Sequence, residues 1–360
     1  MRKIIIYKGS NRGFSKYLND NKIVIKNSFA SIIIKMDKER KAVKSSKTTH
    51  QTIVIKDSDY FAITNNANNN LLSILEEVSA KDSVIVIHNP QNYIESEMLL
   101  HYPKITTIIE ESITGLEEEH ILKVISNNSM FTKWKMELLK TLLYFSSNDS
   151  QKPYVILLYG GSGLGKTHIL KELVKEMNEE LLSFQLSNFQ DTNTIGILLG
   201  EKFPSKDVYS QIKLSSNSLI LLDEFDKIHS FGYNAFYDIF DEPVASSDFV
   251  SVNIKNRIFI ATTNYSNMEE IEQKLPNPIV NRINKFIHVP DLSIQEINKY
   301  IDSKKLDSDL KEEVQLEVNK LENVNLRIID NIIEEIKINK HWDNFISRIT
   351  TDVEGEKNEK

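Results

Sequence analysis

Over the first 125 residues the chain alternates short apolar runs with polar turns. The runs at 4–7, 23–25, 32–34, 53–55 and 61–64 are rich in β-branched residues and read as strands. The asparagine-rich stretch 65–70, broken only by Ala67, reads as a turn or loop, and 71–79 then places apolar residues at helical spacing. The run from Ser83 to Ile87 predicts a buried strand stopped by His88-Asn89-Pro90, followed by a helix over 94–101 and a strand over 105–109. Strands that are apolar at nearly every position, with a helix between them, predict a small α/β domain with parallel pairing.

The pattern changes twice further on. Residues 117–146 read as helical, with Phe131, Trp134, Met136, Leu138, Leu139, Leu142 and Leu143 on an apolar stripe, and a polar break follows over 146–153. From about 130 to 290 strands and helices alternate. From 292 to 338 the pattern is wholly helical, in segments at 294–301, 310–321 and 326–338, and the charged end 351–360 is expected to fray. The expected division is an N-terminal α/β domain over 1–125, a second α/β region over 126–291, a helical region over 292–345 and a charged tail over 346–360. No internal repeat is visible.

Composition narrows the classes. A chain of 360 residues suits two domains, and 40% hydrophobic with 26% charged residues is the balance of a globular protein with a sizeable core. The formal net charge of -7 argues against coating nucleic acid by bulk electrostatics, although a local basic stripe is still compatible with it. The absence of cysteine excludes disulfides and thiolate metal sites. No apolar run approaches the roughly 18 residues of a membrane span. The basic start at Arg2-Lys3 leads into an apolar run too short for a signal peptide, so the cytoplasm is the default expectation. Only seven residues are arginine, with none between Arg40 and Arg257. In a chain that otherwise uses lysine, an arginine can mark a place needing a planar, permanently charged fork.

Two early features carry no chemistry. Gly9-Ser10-Asn11-Arg12-Gly13 follows a strand but lacks the dinucleotide fingerprint, and reads as a plain turn. The lysines and arginine between Lys35 and Lys47 are diluted by Asp37 and Glu39 and read as a solvated loop.

The chemistry begins at Gly160-Gly161-Ser162-Gly163-Leu164-Gly165-Lys166-Thr167, which fits G-x-x-x-x-G-K-[ST]. The apolar run 154–159 predicts a strand before it, and 169–177 predicts a helix after it, as a phosphate-binding loop requires. Glycines let backbone N–H groups turn inward around a β-phosphate, and the helix presents its positive end. Lys166 is placed to reach the β- and γ-phosphates, and the Thr167 hydroxyl to hold magnesium. Downstream, the buried run 219–222 delivers Asp223-Glu224 at the carboxyl end of a strand, where ligands sit in open α/β sheets. Asp223 suits the magnesium shell, and Glu224 suits polarising an attacking water.

With these residues in place the sequence resembles the AAA+ ATPases, and within them the Clp-type unfoldases. Leu222-Asp223-Glu224-Phe225-Asp226-Lys227-Ile228 is similar to their Walker B segment. Ile258 to Asn264 is similar to the next strand, with Asn264 as first sensor. Pro278-Ile279-Val280-Asn281-Arg282-Ile283 resembles the arginine-finger segment, and Asn325-Leu326-Arg327 resembles the start of the helix carrying the second-sensor arginine. The match runs over about 130–340 in family order. It implies a P-loop αβα core with a five-stranded parallel sheet, a helical lid, and a ring, usually of six subunits, with ATP and magnesium at the interfaces. It implies catalytic roles for Glu224, Asn264, Arg282 and Arg327. The amide of Asn264 can donate and accept toward water and phosphate. Arg257, at the start of the sensor strand, reads as structural.

Two stretches depart from the Clp pattern. Leu199 to Lys206 is short and lacks the tyrosine-valine-glycine pore loop, with Phe203 as the one aromatic. Only 17 residues separate Asn264 from Arg282, leaving little room for a peptidase-docking loop. Threading into a protease therefore does not follow from the resemblance. The leading expectation is an ATPase that remodels a protein partner. The alternatives are a nucleic-acid-linked AAA+ switch, such as a helicase or clamp loader, and a nucleotide-gated scaffold, which the filled catalytic positions disfavour.

Overall fold

The computed structural model describes residues 3–25, 28–34, 50–56, 58–59, 71–113, 115–127, 132–199, 207–247 and 250–357, except 147–149. In the N-terminal region β1 (Lys3–Lys8), α1 (Asn11–Asp20), α2 (29–34), β2 (His50–Ile55), α3 (Leu71–Val78), β3 (Ser79–His88), α4 (Asn92–His101) and β4 (Thr106–Glu110) follow in order. The four strands form one sheet in the order β2-β3-β1-β4, every pair parallel. Both faces are covered. Ile5, Tyr7, Val54 and Val86 pack with Phe14 and Leu18 of α1, and Ile4, Ile6, Ile53, Ile85 and Ile87 pack under α2, α3 and α4. That two-sided burial is why the strands are apolar at successive positions.

Two of the expected strands are not strands. Residues 23–25 have no regular structure, and 32–34 lie in the helix α2. Phe29, Ile32 and Ile33 are buried there while Ile34 is exposed, a helical face of i, i+3, i+4 rather than an alternation. The expected strand at 61–64, the loop at 65–70 and the basic stretch 35–47 lie outside the described residues.

The helical stretch expected over 117–146 is two helices, α5 (Glu118–Asn127) and α6 (Lys133–Ser146); Phe131 lies outside the described residues. Leu116, Ile121 and Val124 pack with Leu138, Leu142, Ile169 and Leu173 of the following region, so the division expected at 125/126 falls inside a helix that belongs to that region's core.

There β5 (Tyr154–Tyr159), α7 (His168–Glu176), β6 (Leu182–Gln185), α8 (Thr192–Leu198), α9 (Val208–Lys213), β7 (Leu219–Asp223), α10 (Asn234–Asp241), the hairpin β8 (Val244–Ser246) and β9 (Ser251–Asn253), β10 (Ile258–Thr263), α11 (Met268–Lys274), α12 (Asn277–Val280) and β11 (Lys285–His288) build a second parallel sheet, in the order β11-β5-β10-β7-β6. It is the five-stranded αβα arrangement expected. Arg257 is buried at the foot of β10, where its guanidinium donates to the carbonyls of Asn217 (2.5 Å), Ser215 (2.7 Å) and Ile212 (3.2 Å), a structural clamp on the turn entering β7. Burial pulls its pKa down to about 10.

Three helices follow: α13 (Ile294–Ser303), α14 (Ser308–Val318) and α15 (Leu326–Lys357). Ser293 and Glu296 form a capping box at the start of α13. Ile301, Val314, Ile329 and Ile333 form their shared core. The 345/346 division and residues 351–357 of the expected fraying end fall within α15, which continues to Lys357; 358–360 lie outside the described residues. No helix among the described residues is long and apolar enough to cross a membrane. The N-terminal sheet meets the second region through polar contacts: Arg12 donates to Asn178 O (3.0 Å), Lys213 to Pro90 O (3.3 Å), and Ser251 N to Asn92 Oδ1 (3.0 Å).

Candidate nucleotide site

Strand register assembles the site. β10 lies between β5 and β7, with Thr263 opposite Tyr159 and Ala261 opposite Leu222. Three carboxyl ends therefore open at one place: the glycine loop after β5, Asp223-Glu224 after β7, and Asn264 after β10. A cavity of about 560 Å³ lies there, lined by Ser162, Gly163, Leu164, Gly165, Lys166, Thr167, Asp223, Glu224 and Asn264 on the sheet side. Leu326, Arg327, Tyr300 and Asp330 close it from the helical region, and Asn127, Lys135 and Glu172 from the flank. Gly160 and Gly161 do not line it; they turn the chain into the loop.

The glycines at two positions are required by geometry. Gly160 has φ +145 and a Cβ there would strike the Val289 carbonyl. Gly163 has φ +73, and a Cβ would come 2.8 Å from the Asn325 amide. Leu326 N donates to Gly163 O at 3.0 Å, and Asn325 Oδ1 caps α15 by accepting from Ile328 N at 2.9 Å. The start of α15 thus rests directly on the loop.

Lys166 is buried, and its ammonium donates to Gly160 O (2.6 Å), Gly161 O (2.7 Å) and Asn264 Oδ1 (3.2 Å). Burial lowers its pKa to about 8, against the opposing pull of Asp223 and Asp226. Thr262 Oγ1 donates to Asp223 Oδ1 at 2.5 Å and accepts from Glu224 N at 3.1 Å. Glu224 holds a left-handed backbone (φ 54, ψ 48) uncommon for a non-glycine residue. Its Oε2 accepts from Gln185 Nε2 at 2.7 Å. Gln185 and Thr262 escaped the sequence reading. Thr262 is a polar residue near the end of the buried strand β10 and Gln185 ends the short edge strand β6, and that placement was their only signal.

The two arginines part company. Arg327 lines the cavity, and its guanidinium makes no hydrogen bond or ion pair among the described residues. The lid salt bridge with Glu322 or Asp330 that its spacing allows is not formed. Arg282 does not line this cavity. Its Nε lies 2.7 Å from Asp241 Oδ2, its NH1 donates to Pro278 O at 2.8 Å, and its guanidinium lies 5.1 Å from the centre of the Tyr237 ring. In the single chain it is a partly exposed ion pair. The stretch 200–206, including Phe203, lies outside the described residues.

A parallel αβα core, a glycine loop after β5, an Asp-Glu pair after β7 and a helical region resting on the loop make a P-loop NTPase-like core. Residues 156–291 match the profile of the ATPase family associated with various cellular activities (AAA). The similarity to curated proteins runs toward Clp-type chaperones and disaggregases. The chain is 27% identical over 168 residues to the chaperone protein ClpB of Yersinia enterocolitica, covering 43% of this chain and 17% of that protein. It is 27% identical over 136 residues to the mitochondrial disaggregase of Homo sapiens, covering 35% and 19%. Among solved structures it is similar to the S. cerevisiae Hsp104:casein complex in its extended conformation, with 14% identity, a TM-score of 0.48, and coverage of 96% of this chain and 89% of that one. The chain matches about a fifth of the length of these two curated relatives.

Proposed function

We propose that this protein binds ATP with magnesium, hydrolyses it as part of a homo-oligomer, a hexamer by resemblance, and uses the cycle to remodel a protein partner. The observation that carries the reading is the meeting of Lys166, Thr167, Asp223, Glu224, Asn264 and Arg327 around one cavity. Arg282, the remaining cation of the set, lies outside it.

The donor set fits magnesium. Thr167 and Asp223 offer a hydroxyl and a carboxylate, and magnesium is held by one or two carboxylates with the phosphates of its substrate rather than by an all-protein cage. No cluster of three or more His, Cys, Asp or Glu able to form such a cage exists among the described residues. Bound there, the metal would neutralise negative charge on the phosphates. Lys166 exchanges its carbonyl partners for phosphate oxygens. Asn264, already in contact with Lys166, orients water and γ-phosphate. Glu224 takes the proton of the attacking water once its carboxylate leaves Gln185. Arg327 reports the γ-phosphate from the lid, and Arg282 completes a neighbour's site.

The relatives described as a chaperone and a disaggregase favour a polypeptide as partner. Turnover measured with and without an unfolded protein tests this, with Glu224→Gln as the control that retains ATP yet does not cleave it. Stimulation by unfolded protein is expected. Stimulation by DNA or RNA that falls steeply with salt would transfer the reading to a nucleic-acid-linked switch. Phosphate release absent under all conditions would leave a nucleotide-gated scaffold.

A further inference from the structure

Arg327 and Asp330 stand three residues apart near the start of α15, the spacing at which an arginine and an aspartate on one helix face meet as an ion pair. They do not meet. Asp330 uses both oxygens across the lid: Tyr300 Oη donates to Oδ2 at 2.8 Å, and Lys304 Nζ lies 2.6 Å from Oδ1. Lys304 Nζ also sits over the Tyr300 ring, 4.3 Å from its centre. The three side chains form a closed group joining the end of α13 to α15. Burial draws the Lys304 ammonium down, but its bonds to Asp330 and Tyr300 prevail and leave its pKa raised. Tyr300, Asp330 and Arg327 all line the nucleotide cavity.

An aspartate one helical turn from a phosphate-sensing arginine is a permanent competitor, tethered at high local concentration. Every anion that Arg327 receives has to displace it unless something else holds it. We propose that Lys304 and Tyr300 are positioning residues for the nucleotide. By occupying Asp330 they prevent an Arg327–Asp330 pair and leave the guanidinium to the anionic end of the ligand. The group also explains why the lid places a carboxylate in a cavity that receives a polyanion: the charge of Asp330 is matched by Lys304 before the ligand arrives. This rests on the reading of Arg327 as the residue that meets the γ-phosphate.

The test is the KM for ATP in the full chain across Lys304→Met, Tyr300→Phe, Lys304→Met/Asp330→Asn and Arg327→Ala. Lys304→Met frees Asp330 for Arg327 and is expected to raise KM by about two- to fivefold, the range of an exposed ion pair, with kcat little changed. Tyr300→Phe removes only the hydroxyl and should give a smaller rise in the same direction. Adding Asp330→Asn to Lys304→Met should return KM to the wild-type value, because the competitor has lost its charge. A group that merely ties two helices together predicts the opposite, since the double change loosens it further. An unchanged KM in Lys304→Met, or a rise that Asp330→Asn does not reverse, overturns the proposal while Arg327→Ala still impairs turnover. If Arg327→Ala itself changes neither KM nor kcat, the sensor reading falls and this inference falls with it.

Discussion

The molecule contains two parallel sheets, and in each a strand runs into a glycine-containing loop and then a helix. After β5 the loop is open. Its residues 162–167 line a cavity, and its lysine rests on carbonyls that phosphate oxygens can replace. After β1 the corresponding stretch, Gly9-Ser10 and the first turn of α1 to Gly13, is already occupied by the protein. The Glu111 carboxylate, arriving from the end of β4, accepts from Ser10 N and, at 3.0 Å, from Ser10 Oγ. A Cβ at Gly9 or Gly13 would collide with it. Asn89 binds Gly9 in both directions, accepting from its N at 3.0 Å and donating to its O at 2.8 Å, and His88 Nε2 lies 2.9 Å from the same oxygen. His88 is fully buried and stacked on Phe14, and burial pulls its pKa down to about 4. A helix start behind a parallel strand becomes an anion site only where no side chain of the protein already fills it.

The largest test of that contrast is Lys166→Ala. Removing the one ammonium in the open loop is expected to weaken ATP binding by about 3 kcal/mol, roughly hundredfold in Kd, read by titration calorimetry. A Kd within a fewfold of wild type would end the assignment of this loop as the phosphate site.

An open site can also be completed from outside, and Arg282 tests this. Arg282→Ala should bind ATP normally and hydrolyse it poorly. Mixing it with Lys166→Ala protein creates interfaces in which an intact loop meets an intact Arg282, and turnover should return. Mixed oligomers that form and stay inactive would reduce Arg282 to the ion pair with Asp241 seen in the single chain.

The smallest expected effect is on the closed loop. Glu111→Ala leaves the Ser10 N–H and hydroxyl without their acceptor, and should destabilise the N-terminal sheet by about 1–3 kcal/mol in denaturant unfolding. Nucleotide stoichiometry should remain one per chain. A second bound nucleotide in this variant would mean that the carboxylate alone separates the two loops.

The sheet of the second region and its site were legible because their signals are contiguous. A buried strand, a glycine loop and a helix stand side by side in the chain, and so do the apolar run and Asp223-Glu224. The three-residue apolar runs at 23–25 and 32–34 misled because so short a run fits a strand or a helix equally; burial of Phe29 with Ile32 and Ile33 decided it. Gln185 could not be found in advance because its meaning lies in a contact with Glu224, 39 residues away, made only when β6 lies beside β7.

The sequence by itself determined where the glycine loop with its lysine forms, since backbone conformation and charge in the loop are properties of consecutive residues. Tertiary structure alone decided which charges are available. Glu111 closes one loop from across a sheet, Gln185 holds Glu224, and Lys304 with Tyr300 holds Asp330 away from Arg327. A side chain's free valence depends on which groups folding brings within about 3 Å of it, and chain order does not record that distance.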